Sequence, residues 1–197
     1  MAAGDFAGAV GIYERLVKQA PANPGWKLNL GIALHMAGRD KEAVGPLEIA
    51  SKAMPEAFPA HALLGTSLLR LGEAMKAIGP LQRAVAMKPS DPQGRRMLAE
   101  AFLQLKQPNM AVNQLQALTR LEPSDAGAWY VLGRANEATA AELFQLLARR
   151  YPGVAGVPVD DGSGEEEAAA VEGGGGVGKA GSIAPSSGAG GHLGEFD

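Results

Sequence analysis

Apolar residues recur along most of this chain at spacings of three and four, the period of an amphipathic helix. In the stretch 58–91, Leu63, Leu64, Leu68 and Leu71 form one such stripe before Gly72, and Ala77, Leu81, Ala84 and Val85 form a second before Pro89. Glycine has the φ freedom that a tight turn between antiparallel helices needs, and proline ends a helix. The spacing therefore predicts a 34-residue helical hairpin. A hairpin of that size cannot dry both stripes by itself, so copies of it are expected on either side.

The copies are present at a strict period of 34. Leu64-Gly65 recurs as Leu30-Gly31, Leu98-Ala99 and Leu132-Gly133. Ala77 has counterparts at Ala9, Ala43 and Ala111, Leu81 at Tyr13, Leu47 and Leu115, and Pro89 at Pro21, Pro55 and Pro123. Gly72 is matched by Gly4 and Gly38, with Lys106 in the next copy. Four columns sharing one period predict an all-α stack of antiparallel helix pairs.

This pattern resembles the tetratricopeptide repeat, in which an aromatic precedes Leu-Gly and Tyr on the first helix. Gly at the turn, then Ala, Phe or Tyr and Ala on the second helix, and a closing Pro follow. The likeness covers roughly residues 1–150 and is carried residue by residue by Gly4, Ala9, Tyr13, Pro21, Trp129, Leu132 and Gly133. Departures are Trp26, one place early, His61 in the aromatic place, and Asn136 where Tyr is usual. The resemblance implies a right-handed superhelical solenoid.

Taken in order, the chain reads as a half repeat 1–23, repeats 24–57, 58–91 and 92–125, a capping unit 126–150, and a tail 151–197. The half repeat supplies only a second helix, whose stripe of Phe6, Ala9, Val10, Tyr13, Leu16 and Val17 is expected to be half covered. That implies lost upstream sequence, or docking of residues 1–21 on another molecule, self-association included. Asn23-Pro24 and Asp91-Pro92 place a capping side chain before a proline suited to the first helical position, and Asp125 caps the unit after Pro123. Gly45-Pro46 and Gly79-Pro80 lie 34 apart inside second helices, a recurrence that predicts a tolerated bend. The stretch ATAAELFQLLARRY is strongly helix-favouring, so the two helices of the last unit are expected to fuse into one of about 25 residues that closes the stack. The tail holds 14 of the 27 glycines and the run Glu165–Glu167, a composition too poor in apolar residues to offset its ordering entropy, and reads as disordered.

Composition narrows the chemistry. Aromatics are only 5%, so the core must be Leu and Ala, which suits closely crossing helices. Cysteine is absent, which removes disulfides and thiolate chemistry. No run approaches the roughly 20 apolar residues of a membrane span, and no signal peptide is visible. Residues 1–150 carry a balance of +4 and residues 151–197 one of −7, neither sufficient to imply nucleic acid. His35 and His61 fall at opposite ends of their helices and His192 in the tail, so no metal site is expected. No metalloprotease, P-loop or nucleophile-elbow motif occurs, and neither a cofactor nor catalysis is predicted.

What the stack does predict is a groove, because in such solenoids the first helices line the concave side. Residues beside their packing stripes are Asn29, Ile32 and His35, then Thr66, Leu69 and Arg70, then Arg96, Glu100, Leu103 and Gln104, and beyond them Tyr130 and Arg134. Mixed apolar, amide and guanidinium groups suit an extended peptide or a partner helix. Arg96, Tyr130 and Arg134 are the expected anchors. The resemblance also brings to mind a groove that clamps a carboxy-terminal carboxylate with Lys and Asn, but only Asn29 corresponds and that specificity is not supported. The function expected is a protein-interaction scaffold, with a docking arm of a larger enzyme or assembly complex as the alternative. Proteins resembling this one occur in the cytoplasm and in the bacterial periplasm, and the sequence does not choose between them.

Overall fold

A computed structural model describes residues 5–151. Eight helices follow in order: α1 (Phe6–Gln19), α2 (Pro24–Met36), α3 (Asp40–Ala53), α4 (Phe58–Arg70), α5 (Ala74–Met87), α6 (Pro92–Gln104), α7 (Pro108–Leu121) and α8 (Ala126–Arg150). Three antiparallel hairpins, α2/α3, α4/α5 and α6/α7, stack side by side, with α1 packed on α2 and α8 on α7. First helices also touch the next first helix, α2 on α4 and α4 on α6, whereas each second helix packs chiefly on the first helices flanking it. The fold is the helical-repeat solenoid that the periodicity predicts. The expectation of a disordered tail falls on residues outside those described.

Each hairpin turns at the column that holds Gly38, Gly72 and Lys106, all with positive φ of 74°, 77° and 55°. The backbone closes the helix there in a Schellman arrangement, with Arg39 N–H donating to Leu34 C=O, Glu73 to Leu68 and Gln107 to Phe102, each at 2.9 Å. Side-chain caps stand where the sequence places them. The Asn23 carboxamide oxygen accepts from Gly25 N–H at 2.9 Å, Asp91 from Gly94 at 2.9 Å and Asp125 from Ala128 at 3.1 Å. Pro46 and Pro80 lie inside α3 and α5, which run through them as single helices.

The Leu-Gly motif explains how the hairpins close. Gly31 faces Leu47 and Gly65 faces Leu81 so tightly that an added Cβ would lie 2.5 Å from the leucine Cγ in each case. Leu47 and Leu81 are among the most deeply buried side chains, and Leu30, Leu64, Leu98 and Leu132 line the same core. A second column joins successive units. His61 Nε2 donates to Pro55 C=O at 3.0 Å, Arg95 Nε to Pro89 C=O at 2.8 Å, and Trp129 Nε1 to Pro123 C=O at 2.9 Å. Three different side chains do one job, holding a first helix to the carbonyl that ends the preceding unit. His61 is thus no defect in the aromatic column, because what the column requires is a side-chain N–H.

Two expectations need correction. The stripe of α1 is more covered than a lone second helix suggests: α1 packs on α2, Val10 is buried, and Tyr13 meets Trp26 at 6.5 Å between ring centroids. Only Phe6 and Ile12 of that helix remain as large exposed apolar groups. At the other end α8 is indeed one uninterrupted helix of 25 residues, but it does not end the stack in a polar face. Leu143, Phe144, Leu146, Leu147 and Tyr151 are all exposed.

Candidate interaction surface

The first helices divide into columns 34 residues apart. Leu30, Leu64, Leu98 and Leu132 face inward, as do Ala33, Ser67, Ala101 and Ala135. Open columns run through Leu28, Ala62, Arg96 and Tyr130, through Ile32, Thr66, Glu100 and Arg134, and through Met36, Arg70 and Gln104. Among the candidate groove residues, Asn29, Ile32, Thr66 and Arg96 are half-buried, and Arg70, Glu100, Gln104, Tyr130 and Arg134 are exposed.

His35 and Leu69 do not belong to this surface. They occupy one column and are 6% and 4% exposed. At these two places the column points between hairpins and is packed by the chain itself. At Leu69 the filling is apolar. At His35 it is a polar trio, in which Ser67 Oγ donates to Asp40 Oδ1 at 2.7 Å and His35 Nδ1 lies 2.8 Å from both. A carboxylate only accepts, so Nδ1 carries the proton and shares it between Asp40 and Ser67. The trio contains the residue types of a hydrolase triad, but serine and aspartate crowd the same ring nitrogen instead of opposite ones. Ser67 is also wholly buried, beyond reach of any substrate. The arrangement fastens α2, α3 and α4 together.

Several open residues are engaged within the chain. Arg96 Nη2 bridges Glu122 at 3.1 Å and Asp125 at 2.6 Å, tying α6 to the loop before α8. This hydrogen bond, with the one from Ala128 N–H, holds the Asp125 carboxyl below its ordinary range. Arg70 reaches Asp40 at 3.4 Å, Arg134 lies 3.6 Å from Glu137, and Thr66 bonds back to Ala62 C=O of its own helix. Tyr130 has no such engagement among the described contacts and is 68% exposed.

Between α6, α7 and α8 the open columns enclose a notch of about 340 Å³. Its floor is Ala99, Leu103, Leu115, Ala128 and Val131, with Arg96 and Glu100 at the edge. Leu103 stands in the His35–Leu69 column, yet it is only half-buried. Arg96, Glu100 and Leu103 are among the positions expected from the sequence to face the groove, whereas Leu115 of α7 and Ala128 and Val131 of α8 are not.

Two tetratricopeptide repeat family models match the sequence, one over residues 1–66 and the other over 41–92, 62–109 and 96–155. This chain belongs to the tetratricopeptide repeat family. Solved structures of the fold agree. A crystal structure of MamA is similar at 24% identity and a TM-score of 0.65 over 70% of this chain and 80% of that one. MamA from Desulfovibrio magneticus RS-1 gives 24% identity and 0.63 over 74% and 85%. YrrB, described as a tetratricopeptide repeat protein with an unusual peptide-binding site, gives 23% and 0.64 over 76% and 79%. No curated protein matches the chain in sequence. At these identities the structural likeness speaks for the repeat fold alone. Among the described residues no helix is long and apolar enough to cross a membrane.

Proposed function

We propose that this tetratricopeptide repeat protein is an interaction scaffold that takes a peptide or partner helix along the open columns of its first helices. The observation that carries the proposal is the notch between α6 and α8, an apolar floor edged by Arg96 and Glu100. An apolar side chain of the ligand fills it, and the flanking Gln104 and Tyr130 supply amide and phenol contacts to ligand backbone. That YrrB carries a peptide-binding site on a similar repeat stack supports a peptide as ligand class. The residues proposed to line the groove are Asn29, Ile32, Thr66, Arg70, Arg96, Glu100, Leu103, Gln104, Tyr130 and Arg134, with Val131 beside Leu103 at its floor.

Peptides selected from a random library on the full chain test the reading. Leu103→Glu puts a charge in the notch and is expected to weaken the selected peptides tenfold or more, the equivalent of about 1.4 kcal/mol. Amide shifts of the chain on titration should centre on α6 and the first half of α8. Peptides that shift only α3, α5 and α7, and ignore Leu103→Glu, would refute it.

A further inference from the structure

The second half of α8 is a second helix without its turn. In the complete hairpins the glycine column is followed after 12 residues by Ala43, Ala77 or Ala111, and the leucine, the third packing residue and the proline follow 4, 7 and 12 positions later. The same series stands in the last unit as Ala140, Phe144, Leu147 and Pro152, but Ala140 follows Gly133 after only seven residues. Five residues are missing, among them the counterpart of the positive-φ residue at Gly38, Gly72 and Lys106. Without a turn the chain cannot fold back, and α8 runs on as one helix.

The two faces that the unmade hairpin would bring together are consequently bare. Phe144 corresponds to Leu47 and Leu81, and it is 50% exposed instead of buried. Its seat would be Gly133, the counterpart of Gly31 and Gly65, where nothing lies within 4 Å of an added Cβ. The two cannot meet within one copy, because 11 residues of straight helix hold them about 16 Å apart.

We propose that a second copy of this chain supplies the missing helix, in a reciprocal exchange of the last half-repeat. Laying two α8 helices antiparallel so that the partner's Phe144 sits on Gly133 also seats Phe144 on the partner's Gly133. The twofold axis then passes between Ala138 and Thr139, an isologous and closed interface. The same register sets Ala140 beside the partner's Glu137 and Leu147 beside the partner's Tyr130, repeating the pairing of Ala43 and Ala50 with the first helix of their own hairpin. Tyr130, Gly133, Glu137, Ala140, Phe144, Leu147 and Tyr151 fall within an arc of about 100° at 3.6 residues per turn, so one face of α8 serves both roles. Shortening a hinge so that an element packs in trans is a known route to domain-swapped dimers.

Analytical ultracentrifugation of the full chain from 1 to 100 μM tests this, with circular dichroism to verify that each variant folds. The wild type is expected to be a dimer at the upper concentration. Gly133→Leu occupies the seat of the partner's Phe144, at a position open in the single copy, and is expected to raise the dimer dissociation constant at least tenfold. Inserting a copy of Leu105–Asn109 between Ala138 and Thr139 restores the turn and is expected to give a folded monomer. A wild type that stays monomeric at 100 μM overturns the proposal. A dimer insensitive to both changes overturns it equally, since apolar association without this register would tolerate either.

Discussion

The contrast between Gly65 and Gly11 offers a quantitative test of why the α2/α3 and α4/α5 hairpins carry glycine beside leucine, where α6 carries Ala99. Both lie inside helices, so replacing either by alanine removes backbone entropy and gains up to about 1 kcal/mol in helix propensity. At Gly11 nothing lies within 4 Å of the new Cβ, and the gain should be realised. At Gly65 the new Cβ would stand 2.5 Å from Leu81 Cγ, 2.7 Å from Cδ2 and 3.2 Å from the Leu81 backbone nitrogen. Favourable carbon–carbon contact lies near 3.5–4.0 Å, so about 1 Å must be found. Leu81 is 1% exposed and cannot swing away, and the backbone nitrogen bars a simple slide of α4 over α5. Overpacking of this kind costs about 1–3 kcal/mol. After the propensity gain, Gly65→Ala is expected to lose up to about 2 kcal/mol while Gly11→Ala gains about 0.5–1. Urea denaturation followed by circular dichroism reads both as midpoint shifts of opposite sign. A Gly65→Ala protein stabilised as much as Gly11→Ala would refute the close-approach account of the Leu-Gly motif.

Three further expectations rest on single contacts. His61→Phe deletes the donor to Pro55 C=O and should cost about 1 kcal/mol in the same denaturation assay, whereas His61→Arg, the residue one repeat on, should retain most of it. His35→Leu alone leaves Asp40 without its ring donor and should cost about 1–3 kcal/mol, but His35→Leu with Asp40→Ala and Ser67→Ala installs the filling found at Leu69, Ala74 and Ala101 and should be near neutral. Because Arg96 and Ala128 N–H hold the Asp125 carboxyl below its usual value, the stability it contributes is present above its ordinary pKa of about 3.8 and is lost as pH falls through the lower folded value. Thermal melts of wild type and Arg96→Gln should therefore differ at neutral pH and converge only as pH falls through the folded value, below 3.8, and a gap that persists once Asp125 is protonated in the folded state would refute the assignment.

The period was legible because every hairpin solves one packing problem with one set of residues, so the columns repeat whether or not any partner is present. Caps and turns were legible for the same local reason, since Asn23, Asp91, Asp125, Gly38 and Gly72 act within a few residues of themselves. What could not be read is what depends on the neighbouring hairpin. His35 looked like a groove residue from its own helix, and only Asp40 and Ser67, 5 and 32 positions away, make it a core residue. Leu69, one repeat on in the same column, is buried for the same reason, because its neighbours across the hairpins and not its own helix decide it. The last unit applies this rule in reverse. Phe144 stands in a column that buries Leu47 and Leu81, and it is exposed because the five residues that would return it to Gly133 are missing. In a repeat protein an exposed residue in a core column marks a neighbour that the chain itself does not provide, and α8 is where this chain leaves that place open.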